Sequence, residues 1–234
     1  MLENLPSYIA WFFALTTAAT LLLFIQAIKK AGYSRKTIVI LFLVLIIWLL
    51  VQGTVSMAGN YKSDIESFPP KILLFGIVPA MFTIFLLFVL PAGRRFIDRL
   101  PLRNLTYIHV IRIPVEFVLF WLYLHDAVPE LMTFEGRNWD IAAGISAPFV
   151  TYFYFVKNAL NKTVLLIWNI LCLCLLLNIV IHALLSTPSP IQLFAFDQPN
   201  WAILNFPFSW LPVFVVPVVL FSHLVAIRKL LLQK

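Results

Sequence analysis

"TIVILFLVLIIWLLVQGTVSM", residues 37–57, carries no charged side chain and consists mainly of Ile, Leu and Val. A helix rises 1.5 Å per residue, so a segment of this length can cross a hydrocarbon core of about 30 Å. It has no polar face that could lie against water. The segment therefore predicts a membrane-spanning helix, and the rest of the chain can be compared with it.

The composition of the whole chain agrees with this prediction. Hydrophobic residues make up 62% of the 234 residues and charged residues only 12%, whereas a water-soluble domain has about 25% charged residues. The alternating polar and apolar pattern of a membrane β-barrel is absent from the apolar runs, and lipid otherwise admits only helices. We therefore expect an all-α integral membrane protein.

Six further apolar segments of similar length accompany the first one. The connectors between them are too short to fold as domains, so we expect a single transmembrane domain, residues 1–234, built as a seven-transmembrane-helix bundle. The triplets formed by the first three and the last three segments show no internal repeat beyond scattered prolines. The seven predicted spans lie near 7–28, 37–57, 72–91, 105–125, 140–157, 163–185 and 206–227.

The charges in the connectors predict an orientation. If seven spans alternate, 13 Lys and Arg residues fall on one side and only Lys62, Lys71 and Arg137 on the other, together with eight of the ten acidic residues. Because basic loops stay in the cytoplasm, we expect the N-terminus outside and the C-terminus inside. The distribution favours a multi-pass protein of a bacterial inner membrane, with the lipid bilayer as its partner. Basic charge placed in this way does not indicate nucleic-acid binding.

The fourth segment contains "HVIRIPVEF", residues 109–117, with three ionisable side chains in a membrane-length helix. His109, Arg112 and Glu116 lie at i, i+3 and i+7, on one helical face that Tyr123 continues. A charge at this depth costs about 3 to more than 10 kcal/mol against lipid, so the face must point into the bundle.

Two interpretations of Arg112 and Glu116 remain open. As a structural ion pair, the two side chains would bridge each other and the carbonyls that Pro114 frees. As a site, Arg112 would anchor an anionic or polar solute, Glu116 would carry a proton, and His109 would relay it. Asn178, His182 and His223 on the last two spans are further candidates for ligand binding or proton relay.

The four histidines also raise the question of haem. His109 and His223 lie towards one end of the bundle and His125 and His182 towards the other, an arrangement that two stacked haems could use. The azimuths of His109 and His125 differ by about 120° on their helix, which is poor geometry for that purpose. We expect no metal site, because the two cysteines and four histidines lack a metal-binding spacing.

We therefore expect a membrane protein that binds or translocates a small polar or anionic solute through a polar interior centred on the fourth span. One alternative is a membrane redox or other enzyme that uses the histidines, although no catalytic motif is present. Another alternative is a structural or signalling subunit that needs a partner membrane or cytoplasmic protein. No catalytic residue can be assigned from the sequence.

Overall fold

The computed structural model describes residues 5–232, and that part of the chain is helical with no strand. Glu3 and Lys234, which contribute to the charge distribution, lie outside the described residues. The helices are α1 (Ser7–Lys30), α2 (Arg35–Met57), α3 (Val78–Val89), α4 (Pro91–Arg99), α5 (Leu102–Ile108), α6 (Arg112–Tyr123), α7 (Asp140–Phe155), α8 (Lys162–Leu185) and α9 (Val216–Leu232).

Within residues 5–232, five helices are long and apolar enough to cross a membrane: Ser7–Lys30, Arg35–Met57, Leu102–Tyr123, Lys162–Leu185 and Leu211–Leu232. A sixth is added if Leu73–Val89 and Pro91–Arg99, which meet at an angle of 89°, form one broken span. Helix α7 has only 16 residues, about 24 Å at 1.5 Å per residue. The expected all-α architecture is thus confirmed, with five or six helices that could span a membrane.

Two of these helices form the centre of the bundle. In the most apolar stretch of each helix, 56% of the residues of Leu102–Tyr123 and 61% of those of Leu211–Leu232 are buried. In α2 the share is only 17%. Leu102–Tyr123 is not a uniform helix, because the turn His109–Ile111 between α5 and α6 is a 3₁₀ helix. The polar residues of the fourth predicted span therefore lie on a central helix whose winding changes next to them.

The connectors gather at two ends of the bundle, as alternating antiparallel helices require. One end, called the loop end, consists of residues 58–71, 124–139 and 186–210. There the Gln198 amide, for example, donates to the Val128 carbonyl at 2.7 Å. The other end, called the basic end, consists of residues 31–34, 90–101, 156–161 and 228–232. There the Lys229 ammonium donates to the Asp98 carbonyl at 3.1 Å.

The connector between α6 and α7 folds into the bundle. Met132, Thr133 and Asn138 are buried, and Asn138 reaches Glu116, nearly two turns before the end of α6. Asp140, counted above among the acids of the predicted outer side, is only 5% exposed. The connector folds into the bundle because its Asn and Asp side chains have polar partners on α6, which compensates for burying irregular backbone.

Two helices share a local feature that the sequence comparison missed. The π-helical turn Leu73–Ile77 is followed two residues later by Pro79, and the π-helical turn Leu211–Val215 is followed two residues later by Pro217. Each proline lacks an N–H and therefore frees the carbonyl four residues earlier. The third and seventh predicted spans thus carry the same irregular turn at matching positions.

Helix α2 supplies donors to both freed carbonyls. The Gln52 amide donates to the Phe75 carbonyl at 3.1 Å, and the Trp48 indole donates to the Val213 carbonyl at 3.0 Å. Gln52 is itself held by the Tyr61 hydroxyl; burial raises the pKa of Tyr61 to about 12, so this hydroxyl remains a donor. One turn apart on one face, Trp48 and Gln52 satisfy backbone groups that lipid could not.

Candidate ligand-binding site

A cluster of buried polar side chains lies where α6, α7, α8 and α9 meet. Helix α7 can approach α6 closely because Gly144 has no side chain: a Cβ there would lie 2.9 Å from the Ile113 backbone nitrogen. This close approach brings the first turn of α7 next to Arg112 and Glu116. The sequence predicted a packing seam on α7, and Ala143 and Ala147 of that seam are buried.

Arg112 is the centre of the cluster. Its Nη1 donates to the Asp140 carboxylate at 2.9 Å and to the Cys172 carbonyl at 3.1 Å. Its Nη2 lies 2.9 Å from Nε2 of His223. The guanidinium is only 2% exposed, and its charge is compensated by Asp140 in a buried ion pair.

The interpretation of Arg112 and Glu116 as an ion pair is wrong, because Arg112 has a different partner. Arg112 pairs with Asp140 on α7, and no Arg112–Glu116 contact within 4.0 Å occurs in residues 5–232. Arg112 is the first residue of α6, directly after the 3₁₀ turn, and its guanidinium extends across to α7 and α8. The pair that the sequence suggested within one helix is instead formed between two helices.

Among the residues that the structure describes, Glu116 is held by an amide and by no cation. The Asn138 amide donates to both carboxylate oxygens of Glu116, at 2.6 and 2.7 Å, and also lies 3.0 Å from the Met132 carbonyl. The side-chain oxygen of Asn138 accepts from the Asp140 backbone N–H at 3.0 Å. Asn138 therefore fixes the Glu116 carboxylate and the first turn of α7 at once.

His223 is held in one tautomer by its partners. An arginine can only donate, so Nε2 of His223 accepts from Arg112 and the proton of the ring lies on Nδ1. That N–H donates to the Asn169 side-chain oxygen at 3.0 Å, and the Asn169 amide donates to the Leu165 carbonyl at 2.9 Å. This chain of donors runs from the cluster into α8.

His109 lies against His223 without a hydrogen bond. The two rings stack with their centroids 3.7 Å apart and their planes 16° apart, and the Trp168 ring contacts His109 edge-on at 5.6 Å. Both ring nitrogens of His109 are buried with no partner in the described part of the chain. The predicted proton relay through His109 therefore has no hydrogen-bonded path in this arrangement.

His109 and His223 cannot hold a haem between them in this arrangement. Stacked, nearly parallel rings cannot bind an iron between them, since axial ligands must approach it from opposite sides with the porphyrin between them. His125 and His182 each direct Nδ1 to a carbonyl four residues earlier on the same helix. Within residues 5–232, no three His, Cys, Asp or Glu side chains are grouped so that they could hold a metal ion.

Three predicted site residues lie outside the cluster, nearer the loop end. Tyr123 ends α6, and its carbonyl accepts from Gln198 at 3.2 Å. The Asn178 amide donates to the Arg137 carbonyl at 2.9 Å, and the His182 ring stacks on Phe194 at 5.7 Å. These residues hold the loops of that end and do not reach Arg112 or Glu116.

A cavity of about 260 Å³, called the carboxylate cavity, adjoins the cluster. Glu116 and Asp140 line it, and its other described lining residues are apolar side chains from the bundle helices and from the loop-end residues Met132 and Ile203. Leu177, also a lining residue, is 43% exposed, so the cavity extends to the outer surface of α8. Glu116 and Asp140 are thus the two ionisable residues among the residues that line an otherwise apolar space.

Sequence reasoning missed the partners of the cluster. Asp140 was counted only among the acids of the predicted outer side, and Asn138 and Asn169 were not among the predicted site residues. One signal was available: Asn138 and Asp140 lie two apart, directly before a small-residue helix, and both types are common where helices begin. Nothing in the sequence showed that this helix would begin at the depth of Arg112.

Residues 69–231 match the profile of a protein family described as a domain of unknown function, DUF8737, and the chain belongs to this family. The matched range contains the whole cluster from His109 to His223, and α1 and α2 precede it. No curated protein matches the chain. No solved structure matches it either.

Proposed function

We propose that this member of the DUF8737 family is a membrane protein that binds a small polar solute in the carboxylate cavity and translocates it. The observation that carries the proposal is the pair of buried carboxyl groups, Glu116 and Asp140, lining an otherwise apolar cavity. Convergent polar groups in an apolar cavity of a few hundred Å³ are typical of small-molecule sites. Ionisable groups within membrane helices are functional candidates by default.

The charges of the cluster favour a solute with a cationic, hydrogen-bond-donating head. Arg112 uses both terminal nitrogens on Asp140, Cys172 and His223, so its role in the proposal is to position Asp140. One guanidinium against two carboxyl groups leaves one negative charge when both are ionised. A protonated amine or a proton at Glu116 would balance it, whereas an anion would add to it.

Translocation is supported by the two irregular helices that adjoin the cavity. Ile77, from the π-helical turn Leu73–Ile77, lines the cavity, and so do Leu211 and Pro212 from the π-helical turn Leu211–Val215. Interrupted helices beside a binding site are a form that transporter helices take.

We further propose seven spans with the N-terminus outside and the basic end in the cytoplasm of a bacterial inner membrane. In this topology α3 and α7 are short spans, and the buried connector before Asp140 completes the crossing of α7. The connector charges support the orientation, because cytoplasmic loops carry the excess of Lys and Arg.

The topology can be tested by labelling single introduced cysteines in intact cells with a membrane-impermeant maleimide. We expect Ser67→Cys, in the connector 58–71, to react and Ser34→Cys, in the connector 31–34, to react only after the cells are opened. The unsubstituted chain, with buried Cys172 and exposed Cys174, serves as the blank. Labelling of Ser34→Cys in intact cells would contradict the proposed orientation.

Ligand binding can be tested with hexylamine, hexanol and hexanoate, three probes with the same apolar chain and different heads. In detergent-purified protein we expect hexylamine to raise the unfolding temperature in a saturable manner, and hexanol and hexanoate to do so much less. Binding to the folded state stabilises it by about 2.7 kcal/mol at one hundred times the dissociation constant. The measurement is thermal unfolding followed by tryptophan fluorescence.

Matched variants identify the group that binds the amine. Glu116→Gln should abolish the difference between hexylamine and hexanol, whereas Glu135→Gln, an exposed acid in the same connector, should leave it unchanged. The competing view, in which the cluster only braces the helices, predicts no saturable effect of hexylamine on any of the three proteins. That outcome, or an unchanged effect in Glu116→Gln, would overturn the proposal.

A further inference from the structure

We infer that a groove near the basic end binds one anionic phospholipid, with an acyl chain in the groove and the phosphate on the basic surface beside it. This site is separate from the carboxylate cavity and does not depend on the function proposed for it. The inference rests on the groove, on the residues that connect it to the basic end, and on the charges there.

The groove is apolar and open to the side of the bundle. It lies between α2 and α3, with α1 and α9 behind it, and has a volume of about 340 Å³. Val44, on the α2 wall, is 55% exposed. Thr83, a polar residue on the α3 wall, turns its hydroxyl to the Pro79 carbonyl at 2.9 Å and so offers the groove no free donor. In a membrane such a space takes hydrocarbon.

The two walls of the groove are linked towards the middle of the bundle. Trp48 and Gln52 connect α2 to the π-helical turns there. Leu41 and Val44, nearer the N-terminus of α2 and the basic end, line the groove. An acyl chain would therefore enter the groove from the leaflet at the basic end.

A continuous set of side chains connects the groove to the basic surface. Phe96 on α4 lines the groove, and its ring lies 5.6 Å from the ring of Tyr33. The guanidinium of Arg99 lies over the Tyr33 ring at 5.3 Å. Phe96 and Tyr33 thus connect the groove to an arginine on the basic surface.

The surface around this point is strongly basic. Helix α4 bends 89° away from α3, and it lies across the end of the bundle as an interfacial amphipathic helix does. Exposed cations lie on α4 and on the adjoining ends of α1 and α2. One acid, Asp98, lies among them, and it pairs with Arg228 at 3.6 Å. These cations are Lys29, Lys30, Arg35, Lys36, Arg94, Arg95 and Arg99.

This combination specifies the ligand class. The apolar groove requires a hydrocarbon chain, and clustered Lys and Arg at a membrane surface attract anionic headgroups. A zwitterionic phospholipid carries the same chains but no net charge. An anionic phospholipid alone satisfies both the groove and the basic surface.

Native mass spectrometry of the full chain with dioleoyl-phosphatidylglycerol or dioleoyl-phosphatidylcholine tests the inference, because the two lipids differ only in the headgroup. We expect each cation that contacts the headgroup to make retention of phosphatidylglycerol about fivefold better than retention of phosphatidylcholine. Lys36→Gln/Arg95→Gln/Arg99→Gln should lose this preference, and the matched triple variant at the loop end, Lys62→Gln/Lys71→Gln/Arg137→Gln, should keep it.

Filling the groove separates a binding site from general surface attraction. Ala80→Phe, with Val44→Trp as a second variant on the exposed wall, should reduce retention of both lipids while leaving the unfolding temperature close to that of the original protein. If both filled variants fold and still retain phosphatidylglycerol as before, the basic surface acts alone and the inference is wrong. Equal retention of the two lipids by the unsubstituted protein would also overturn it.

Discussion

Replacing Arg112 by Met should destabilise the protein by about 3–5 kcal/mol, the cost of removing one partner of a buried ion pair. Arg112 is 2% exposed, and its loss would leave the Asp140 carboxylate and Nε2 of His223 without their donors. Methionine fills a similar space, so the effect arises from the unpaired groups and not from a cavity. Unfolding by sodium dodecyl sulfate in detergent micelles, followed by tryptophan fluorescence, measures it.

Two further variants show whether the ion pair is the cause. Arg112→Met/Asp140→Leu removes both charges and should recover most of the lost stability, because replacing a whole buried pair by apolar residues is often neutral. Arg228→Met removes the half-exposed pair with Asp98 and should cost no more than about 1 kcal/mol. A double variant as unstable as Arg112→Met would mean that Arg112 acts through Cys172 and His223 instead of Asp140.

The helical architecture was predictable because hydropathy alone places helices in lipid. The seven apolar segments coincide with helical segments in the described residues, and α2 and α8 agree with the predicted bounds within two residues. The last segment was placed too early at its start, since 206–210 precede the π-helical turn that begins at Leu211. Apolar composition does not distinguish a π-helical or 3₁₀ turn from an α-helix, so these irregular turns were not predictable.

The site was predictable only in part. His109, Arg112, Glu116 and His223 were selected because ionisable groups in apolar segments must be buried together, and the structure brings Arg112 and His223 into contact. The partners were not predictable, because they depend on how deep the connector before α7 folds. Asn138 and Asp140 look like ordinary residues of a helix start, and only the three-dimensional packing around Gly144 brings them to α6.

The carbonyls freed by proline illustrate the same limit. Pro79 and Pro217 each free a carbonyl, and the donors lie on a third helix far away in the sequence. Hydropathy does not indicate that the Trp48 indole donates to one of these backbone groups within the bundle. A proline identifies the carbonyl that needs a donor; the fold decides which side chain supplies it.

Replacing Asn138 by Leu should cost about 3 kcal/mol, because it leaves the Glu116 carboxylate buried without its amide donor. Glu116 is 1% exposed, and within residues 5–232 no cationic nitrogen lies within 4.0 Å of its carboxylate. The same change also removes the hydrogen bond that the Asp140 N–H donates to the Asn138 side-chain oxygen, worth about 1 kcal/mol. Equilibrium unfolding in detergent measures the total.

The double variant Asn138→Leu/Glu116→Met then separates bracing from binding. Both polar partners are replaced by apolar groups, so the stability lost with the carboxylate should return, and only the part due to the lost Asp140 N–H bond should remain missing. If the cluster binds a cationic head, hexylamine should no longer stabilise this double variant. A double variant that is stable and still responds to hexylamine as the original protein does would show that Glu116 does not bind the amine.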